Sequence, residues 1–478
     1  MKENWGRLRT KLGLWHSSLI KMRITEQAGN FKEKKVKDFI NNVLNETTKI
    51  NKELKCFNYI SKNEALKRAE ELDKTKSKGK LFGIPITVKD DLCVKGMETT
   101  SGSTILRGYK PVFNATCVER ILKEGAVIIG KTCQDEFGFG SFNTNLSVDF
   151  ERPLNPFDNE RVTGGSSGGA AAFVSKAQFA TAAIAESTGG SIVNPASFCG
   201  VVGLCPTYGL VSRYGLLDYA NSLDKVGVIA KNVDDAELLL DVIKGYDFLD
   251  STSLKGDYKN VKIKEIAIQK EALNVDKEIK DLILETLKKL KIKVKEVSLP
   301  LTEKYAIPTY YLIAMSEAST NLAKYCGMRH GKEDEIKEGF NEYFSKVRSS
   351  YFGREAKRRV ILGTFARMAG YRDAFYIKAL KARSLIIEEY KKIFNKYQVL
   401  ITPTMPLIAP KLKDISKLTP LQNYMMDILT VGPNLAGMPH LSVNCGYVDK
   451  MPVGIMFTSD HLQEKTVIEM GKMVEGLD

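Results

Sequence analysis

The chain has 478 residues, of which 43% are hydrophobic and 27% charged. That is apolar content for about three average domains or one large α/β unit, and no run of about 18 apolar residues suggests a membrane-spanning helix. The net charge is +14 with a pI near 9.1. The lysines are spread along the chain and interrupted by acids, as in NFKEKKVKD, which fits a solvated lysine-rich surface and is compatible with an anionic partner such as RNA.

The first 22 residues are basic and lack the apolar centre and small-residue cleavage site of a secretory signal. Residues 1–33 therefore read as an N-terminal extension, either an organelle presequence or an over-extended start ahead of Met22. Residues 34–80 read as N-terminal helices. Val36, Phe39, Ile40, Val43 and Leu44 share one helical face, and NEALKRAEELDK follows with Asn63 as its N-cap. A Gly-rich α/β region runs from 81 to about 245 and closes on the helix DDAELLLDVIKG, with Asp234 as cap and Gly245 as stop. Residues 261–297 read as strand, helix, strand, and 303–395 as mostly helical. YQVLITPTMP is a buried strand ended by Pro403, and HLSVNCGY is another. The alternation predicts a largely parallel sheet covered by helices. Residues 81–478 form one domain in this reading, with a core of about 81–245 and 396–478 and a mainly helical insertion at about 246–395.

Residues 125–132, GAVIIGKT, match the pattern of a phosphate-binding loop. Such a loop needs an open backbone lined by N–H groups after a strand. Here the middle is Ala126, Val127, Ile128 and Ile129, whose β-branched side chains favour an extended, buried backbone. The preceding CVERILKEGA reads as a helix stopped at Gly125, so the two glycines bracket a strand and no nucleotide site is expected. Eight cysteines are scattered without a C-x-x-C pair and only four histidines are present. This argues for reduced thiols and against a metal site.

The densest chemistry lies at 164–200, GGSSGGAAAFVSKAQFATAAIAESTGGSIVNPASFCG, where two Gly-Gly-Ser turns stand 25 residues apart. GGSSG also matches a nucleophile elbow, but a loop, NPFDNERVT, precedes it where a strand is required. Purely structural turns would need nothing further. A third feature weighs against that: Lys89 ends an apolar strand in GIPITVKDD. A lysine there beside two glycine-flanked serines is a candidate Ser–Lys hydrolytic system.

With these segments in order, GIPITVKD, GAVIIGKTCQDEFGFGS, NPFDNERVTGGSSGG and ESTGGSIVNPASFCGVVGLCPTYG, the chain resembles the amidase signature family from about residue 35 to its C-terminus. The stretches PTYGLVSRYGLLDYANSLDKVGVIAKNVDDAELL and LGTFARMAGYRDAFYIKALKAR resemble the branch that serves tRNA-dependent amidotransferases. The resemblance implies an α/β/α sandwich around a large mixed, mostly parallel sheet with a helical insertion. It assigns Ser191 as nucleophile, Ser166 as bridging serine held in a cis peptide, and Lys89 as base. It places the oxyanion hole at the backbone of Thr188, Gly189, Gly190 and Ser191, and it offers Arg358 or Arg359 and Asp427 for the glutamine α-carboxylate and α-ammonium. No metal is implied.

The implied activity is release of ammonia from glutamine for amidation of Glu-tRNA(Gln), with Asp-tRNA(Asn) as a further acceptor. The implied partners are the B and small C-type subunits, with tRNA met through the complex and ATP and Mg at the partner. The implied location is cytoplasmic, or mitochondrial if the extension is a presequence. A stand-alone amidase and a non-catalytic subunit of an RNA-binding complex are the rival readings. The chain departs from the family pattern S-D-T-G-G-S-I-R, with Ser187 for the Asp and Val193 for the Arg. Cys205 stands for a usual Lys, Thr163 for a Pro, Ala170 for a Ser, and His330 for a common Tyr. Losing both members of an ion pair is tolerated better than losing one, and the three triad residues are intact.

Overall fold

The computed structural model describes residues 23–29, 31, 35–75, 79–337 and 339–477. The reading of the first 22 residues as a presequence or false start lies outside them.

Among the described residues eleven strands form one sheet in the order β1-β3-β2-β4-β6-β5-β10-β11-β9-β7-β8, with β1 at Phe57–Ile60, β5 at Val202–Cys205 and β6 at Lys225–Ala230. Next to the β1 edge stand three adjacent strands, β3 (Val127–Thr132), β2 (Pro85–Lys89) and β4 (Ala182–Ser187), each buried along its whole length. β2 runs parallel to both neighbours, so the carboxyl ends of all three lie on one side, where ligand sites form in α/β sheets. On β2, Ile86 and Val88 join a core cluster with the helices Thr116–Lys123, Val233–Ile243 and Glu464–Glu475. Side chains alternate along a strand, so Thr87 and Lys89 point to the opposite face. The helices Val36–Leu54 and Gly168–Lys176 pack on a second cluster, with Val127, Ile129, Ala183 and Ala185. The long helix Pro300–Asn321 anchors a third cluster.

The α/β sandwich around a large mixed sheet is as expected, but its parallel majority is not. Six of the ten pairings are antiparallel. One cause is local: β10 (His440–Val448) and β11 (Met451–Thr458) form a hairpin closed by Asp449 and Lys450, with φ of 48° and 66°. A turn with positive φ at both central residues suits the strand twist and needs no crossover helix. Residues 246–395 hold three long helices and also the strands β7 (Ile266–Gln269) and β8 (Val294–Val297), which extend the same sheet beyond β9 (Val399–Pro403).

Two caps differ from expectation. Asn232, not Asp234, caps the helix Val233–Ile243, its side chain accepting from the Asp235 N–H at 2.8 Å. The helix Lys62–Asp73 has Ser61 at its N-cap position, ahead of the expected Asn63. The segment GAVIIGKT also runs on as strand: Gly130 pairs with Thr87 on one side and Ile60 on the other, and Lys131 and Thr132 stay within β3. A Cβ at Gly130 would stand 2.4 Å from the Tyr59 carbonyl oxygen, so this glycine serves strand contact and not a phosphate cradle.

Candidate active site

Lys89 closes β2, and its side chain is wholly buried. Its Nζ donates to Ser166 Oγ at 2.9 Å, to the Glu186 carbonyl at 3.2 Å and to Glu186 Oε2 at 2.7 Å. Asp91 Oδ2 lies 3.1 Å away. Burial alone would lower the ammonium pKa, but the Asp91 and Glu186 carboxylates outweigh it and hold Lys89 above the ordinary lysine value. Burial lifts the Asp91 carboxyl to about 6 against the pull of Lys89.

Ser166 is buried in the loop between β3 and the helix Gly168–Lys176, and the Gly165–Ser166 peptide is cis. Ser191 follows β4 and keeps 7% of its surface exposed, consistent with a hydroxyl at the edge of a cleft. The Ser167 N–H donates to the Ser191 carbonyl at 3.2 Å, which ties the two serine loops together. Hydrogen bonds thus link Lys89 to Ser166 through side chains and the Ser166 loop to Ser191 through backbone. Among the described residues, the N–H groups of Thr188, Gly189, Gly190 and Ser191 donate to no loop or side-chain acceptor. The glycines are forced by close neighbours: a Cβ at Gly189 would meet Tyr310 Cζ at 2.5 Å, and one at Gly190 would meet Thr430 Oγ1 at 2.3 Å.

A cavity of about 390 Å³ is lined by Phe142, Tyr311, Glu355, Arg358, Arg359 and Tyr424 among others; neither candidate serine lines it, but the Phe142 backbone lies against Gly165 of the Ser166 loop. The two candidate arginines differ sharply. Arg359 is 3% exposed at its side chain, and its guanidinium sits 4.9 to 5.7 Å from the ring centres of Phe139, Tyr219, Tyr311 and Tyr424. Its Nε donates to Glu355 Oε1 at 2.9 Å and its Nη1 to Tyr219 Oη. Arg358 is 30% exposed and pairs with Glu355 from the rim. Asp427 is buried and accepts the Tyr311 hydroxyl proton at 2.6 Å, so Tyr311 connects it to the arginine. Burial raises the Asp427 carboxyl.

The departures at 187 and 193 lie away from this cleft's charges. Ser187 pairs with Lys225 at the start of β6 (Lys225–Ala230), and its buried Oγ has no hydrogen-bond partner, with the Cys205 thiol as a polar neighbour. Val193 is buried in an apolar cluster with Ala196 and Cys199. Sequence reasoning missed Asp91 and Glu186, which face the base, Asp224, which meets Glu186 through Thr188, and Glu355 and Tyr311, which hold the arginine and the aspartate. The one visible signal was the acid directly before S-T-G-G. All eight cysteines are free, and six are buried. Among the described residues no group of three or more His, Cys, Asp and Glu could hold a metal ion, and no helix is long and apolar enough to cross a membrane.

The Amidase family pattern matches residues 38–468. The glutamyl-tRNA(Gln) amidotransferase A subunit of Geobacillus sp. (strain WCH70) is 43% identical over 465 residues, covering 93% of this chain and 94% of that one. The protein of the same name from Archaeoglobus fulgidus is 44% identical over 459 residues, covering 95% and 98%. The crystal structure of the glutamyl-tRNA(Gln) amidotransferase A subunit from Thermotoga maritima superposes with a TM-score of 0.79 at 35% identity, over 96% of this chain and 95% of that one. The strand-end lysine, the two glycine-flanked serines and the match along most of the chain have one common reading: the chain belongs to the amidase family.

Proposed function

We propose that this chain is the glutaminase subunit of a tRNA-dependent amidotransferase, releasing ammonia that a partner uses to amidate Glu-tRNA(Gln), with Asp-tRNA(Asn) as a further acceptor. The observation that carries the chemistry is the 2.9 Å contact from Lys89 Nζ to Ser166 Oγ, with the Ser191 loop fastened beside it. The acceptor Glu-tRNA(Gln) is supported by the relatives named as the A subunit of glutamyl-tRNA(Gln) amidotransferase, matched over nearly the whole chain.

In this reading Ser191 Oγ attacks the glutamine side-chain amide while its proton passes to Ser166, whose own proton passes to neutral Lys89. The Ser166 and Ser191 hydroxyls share no direct hydrogen bond, and catalytic contacts of this kind tighten in the complex with substrate. The free N–H groups from Thr188 to Ser191 receive the charge that develops on the carbonyl oxygen. The relay then returns a proton to the departing ammonia, and water releases the acyl group by the same steps. Arg359, with Nη2 left over from its Glu355 and Tyr219 contacts, meets the α-carboxylate. Asp427 meets the α-ammonium. Arg358 on the rim has the lesser share. The B and small C-type subunits complete the enzyme, with ATP and Mg at the partner, tRNA reached through the complex, and a cytoplasmic location.

The test uses the assembled complex. Ser191→Ala should abolish glutamine-dependent amidation and leave amidation from free ammonia intact. Glutamine-dependent activity near wild type would remove Ser191 from the nucleophile's place. Hydrolysis of unrelated amides by the lone chain, with no partner complex formed, would favour a stand-alone amidase.

A further inference from the structure

The geometry around Lys89 poses a proton problem. The amine must be neutral to act as a base, yet its Nζ is wholly buried and faces two carboxylates, Asp91 and Glu186. Glu186 is also engaged from its other side. Thr188 Oγ1 lies 2.8 Å from Glu186 Oε1 and 2.8 Å from Asp224 Oδ1. A hydroxyl donates one proton, so the second short contact requires an O–H on one of the two acids. Asp224 also accepts the Tyr219 and Ala220 N–H groups at 2.9 to 3.0 Å. Burial and the Glu186 charge nonetheless push its carboxyl well above the ordinary range. The Thr188 hydroxyl therefore donates to Glu186 Oε1, while Lys89 donates to Glu186 Oε2.

We infer that Glu186 is a positioning residue that acts through Lys89 and accepts its proton, so that the neutral amine forms inside the protein without exchange with solvent. In this step an N–H bond of the Lys89 ammonium breaks and an O–H bond forms at Glu186 Oε2. The electron pair left on Nζ then receives the Ser166 proton, and Ser166 receives that of Ser191. When ammonia departs the protons run back and Glu186 returns to carboxylate. The total charge of the buried cluster is the same before and after, so the transfer adds no uncompensated charge to the interior. The other titratable groups facing this pair are Asp91 after β2, Asp135 after β3, Lys131 on β3, Asp224 before β6 and Cys205 on β5 (Val202–Cys205).

This inference rests on the triad reading proposed above, and one set of measurements separates the two. Because the base forms without loss of a proton to solvent, kcat/KM of the wild-type complex for glutamine should change less than about threefold between about pH 6.5 and 8.5. Glu186→Gln, close in shape, removes the nearest acceptor; Asp91 Oδ2 stands farther from Nζ, at 3.1 Å against 2.7 Å, so the proton then leaves chiefly to solvent. The variant's kcat/KM should rise about tenfold per pH unit across that window and lie about 100-fold below wild type at its acid end. Glu186→Asp should restore part of the flat profile. A wild-type profile rising tenfold per unit would overturn the inference, as would a Glu186→Gln rate at or above wild type at about pH 6.5. The wild-type profile and Glu186→Asp decide the matter even if Glu186→Gln fails to fold. If Ser191→Ala stays active, the triad reading fails. If Ser191→Ala is dead while Glu186→Gln keeps the wild-type profile, only the role of Glu186 fails.

Discussion

Lys89 ends β2 and Lys131 is the penultimate residue of its parallel neighbour β3; both are fully buried, and their pKa values move in opposite directions. Burial dominates at Lys131 and lowers it, with Asp90 opposing from 3.5 Å. At Lys89 two carboxylates overcome burial and raise it. Of the two, Lys131 gives up its proton more readily and is the more easily neutral amine. What separates them is aim. Lys131 Nζ donates to the Leu92 carbonyl at 2.6 Å and to Thr99 Oγ1 at 2.9 Å, which pins the loop after β2 and engages neither candidate serine. Lys89 Nζ points at a serine hydroxyl in the loop that touches the nucleophile candidate. A buried lysine becomes a base through what it can reach and through an acceptor for its proton, and Lys131 lacks the first.

The largest effect should come from breaking the reactive member. Lys89→Ala is expected to lower kcat for glutamine by about 10³-fold or more, read by ammonia release. Lys89→Arg should be no better, because a guanidinium keeps its proton. An active Arg variant would take Lys89 out of the role of base.

The same contrast between aim and charge applies to the two arginines of the cavity. Arg359→Lys should raise KM for glutamine by about 10- to 100-fold, since an ammonium cannot reproduce a fork held among four rings. Arg358→Ala should change it by less than about fivefold, as its pairing with Glu355 is partly exposed. Equal losses from the two would mean that the rim arginine shares the ligand.

Lys131→Met sharpens the comparison from the structural side. It should keep kcat/KM within about tenfold of wild type while costing about 3–5 kcal/mol of stability in urea unfolding, because Asp90 loses the ammonium beside it. The chain should bind no ATP with or without the change. A stable variant that is catalytically dead would place Lys131 in the chemistry. The smallest effect is expected at Ser187, whose Oγ makes no hydrogen bond. Ser187→Ala should alter stability by less than about 0.5 kcal/mol, and a larger loss would reveal a working bond to the Cys205 thiol.

The candidate triad was legible because each member sits in a short segment of unusual composition: an apolar strand ending in lysine, and serines wrapped in glycine. The acids around Lys89 were not, since an isolated Glu186 or Asp91 reads as an ordinary charge until strand ends bring it to the amine. Arg358 and Arg359 are adjacent, and only the rotation of the helix Arg354–Arg367 separates a rim residue from a buried one. Strand direction was the weakest part of the fold reading. Alternating strands and helices suggest crossovers, and the β10–β11 hairpin turns through Asp449-Lys450, a pair without the glycine that usually marks such a turn.

The central claim is that Ser191, and not Ser166, carries the acyl group. The most direct measurement is rapid acid quench of the complex during glutamine turnover, followed by mass spectrometry of the peptide spanning both serines with fragmentation to locate the modification. The account predicts a γ-glutamyl ester on Ser191 Oγ that is absent from Ser191→Ala. A γ-glutamyl ester on Ser166, or glutamine turnover in Ser191→Ala at the wild-type rate, would contradict it.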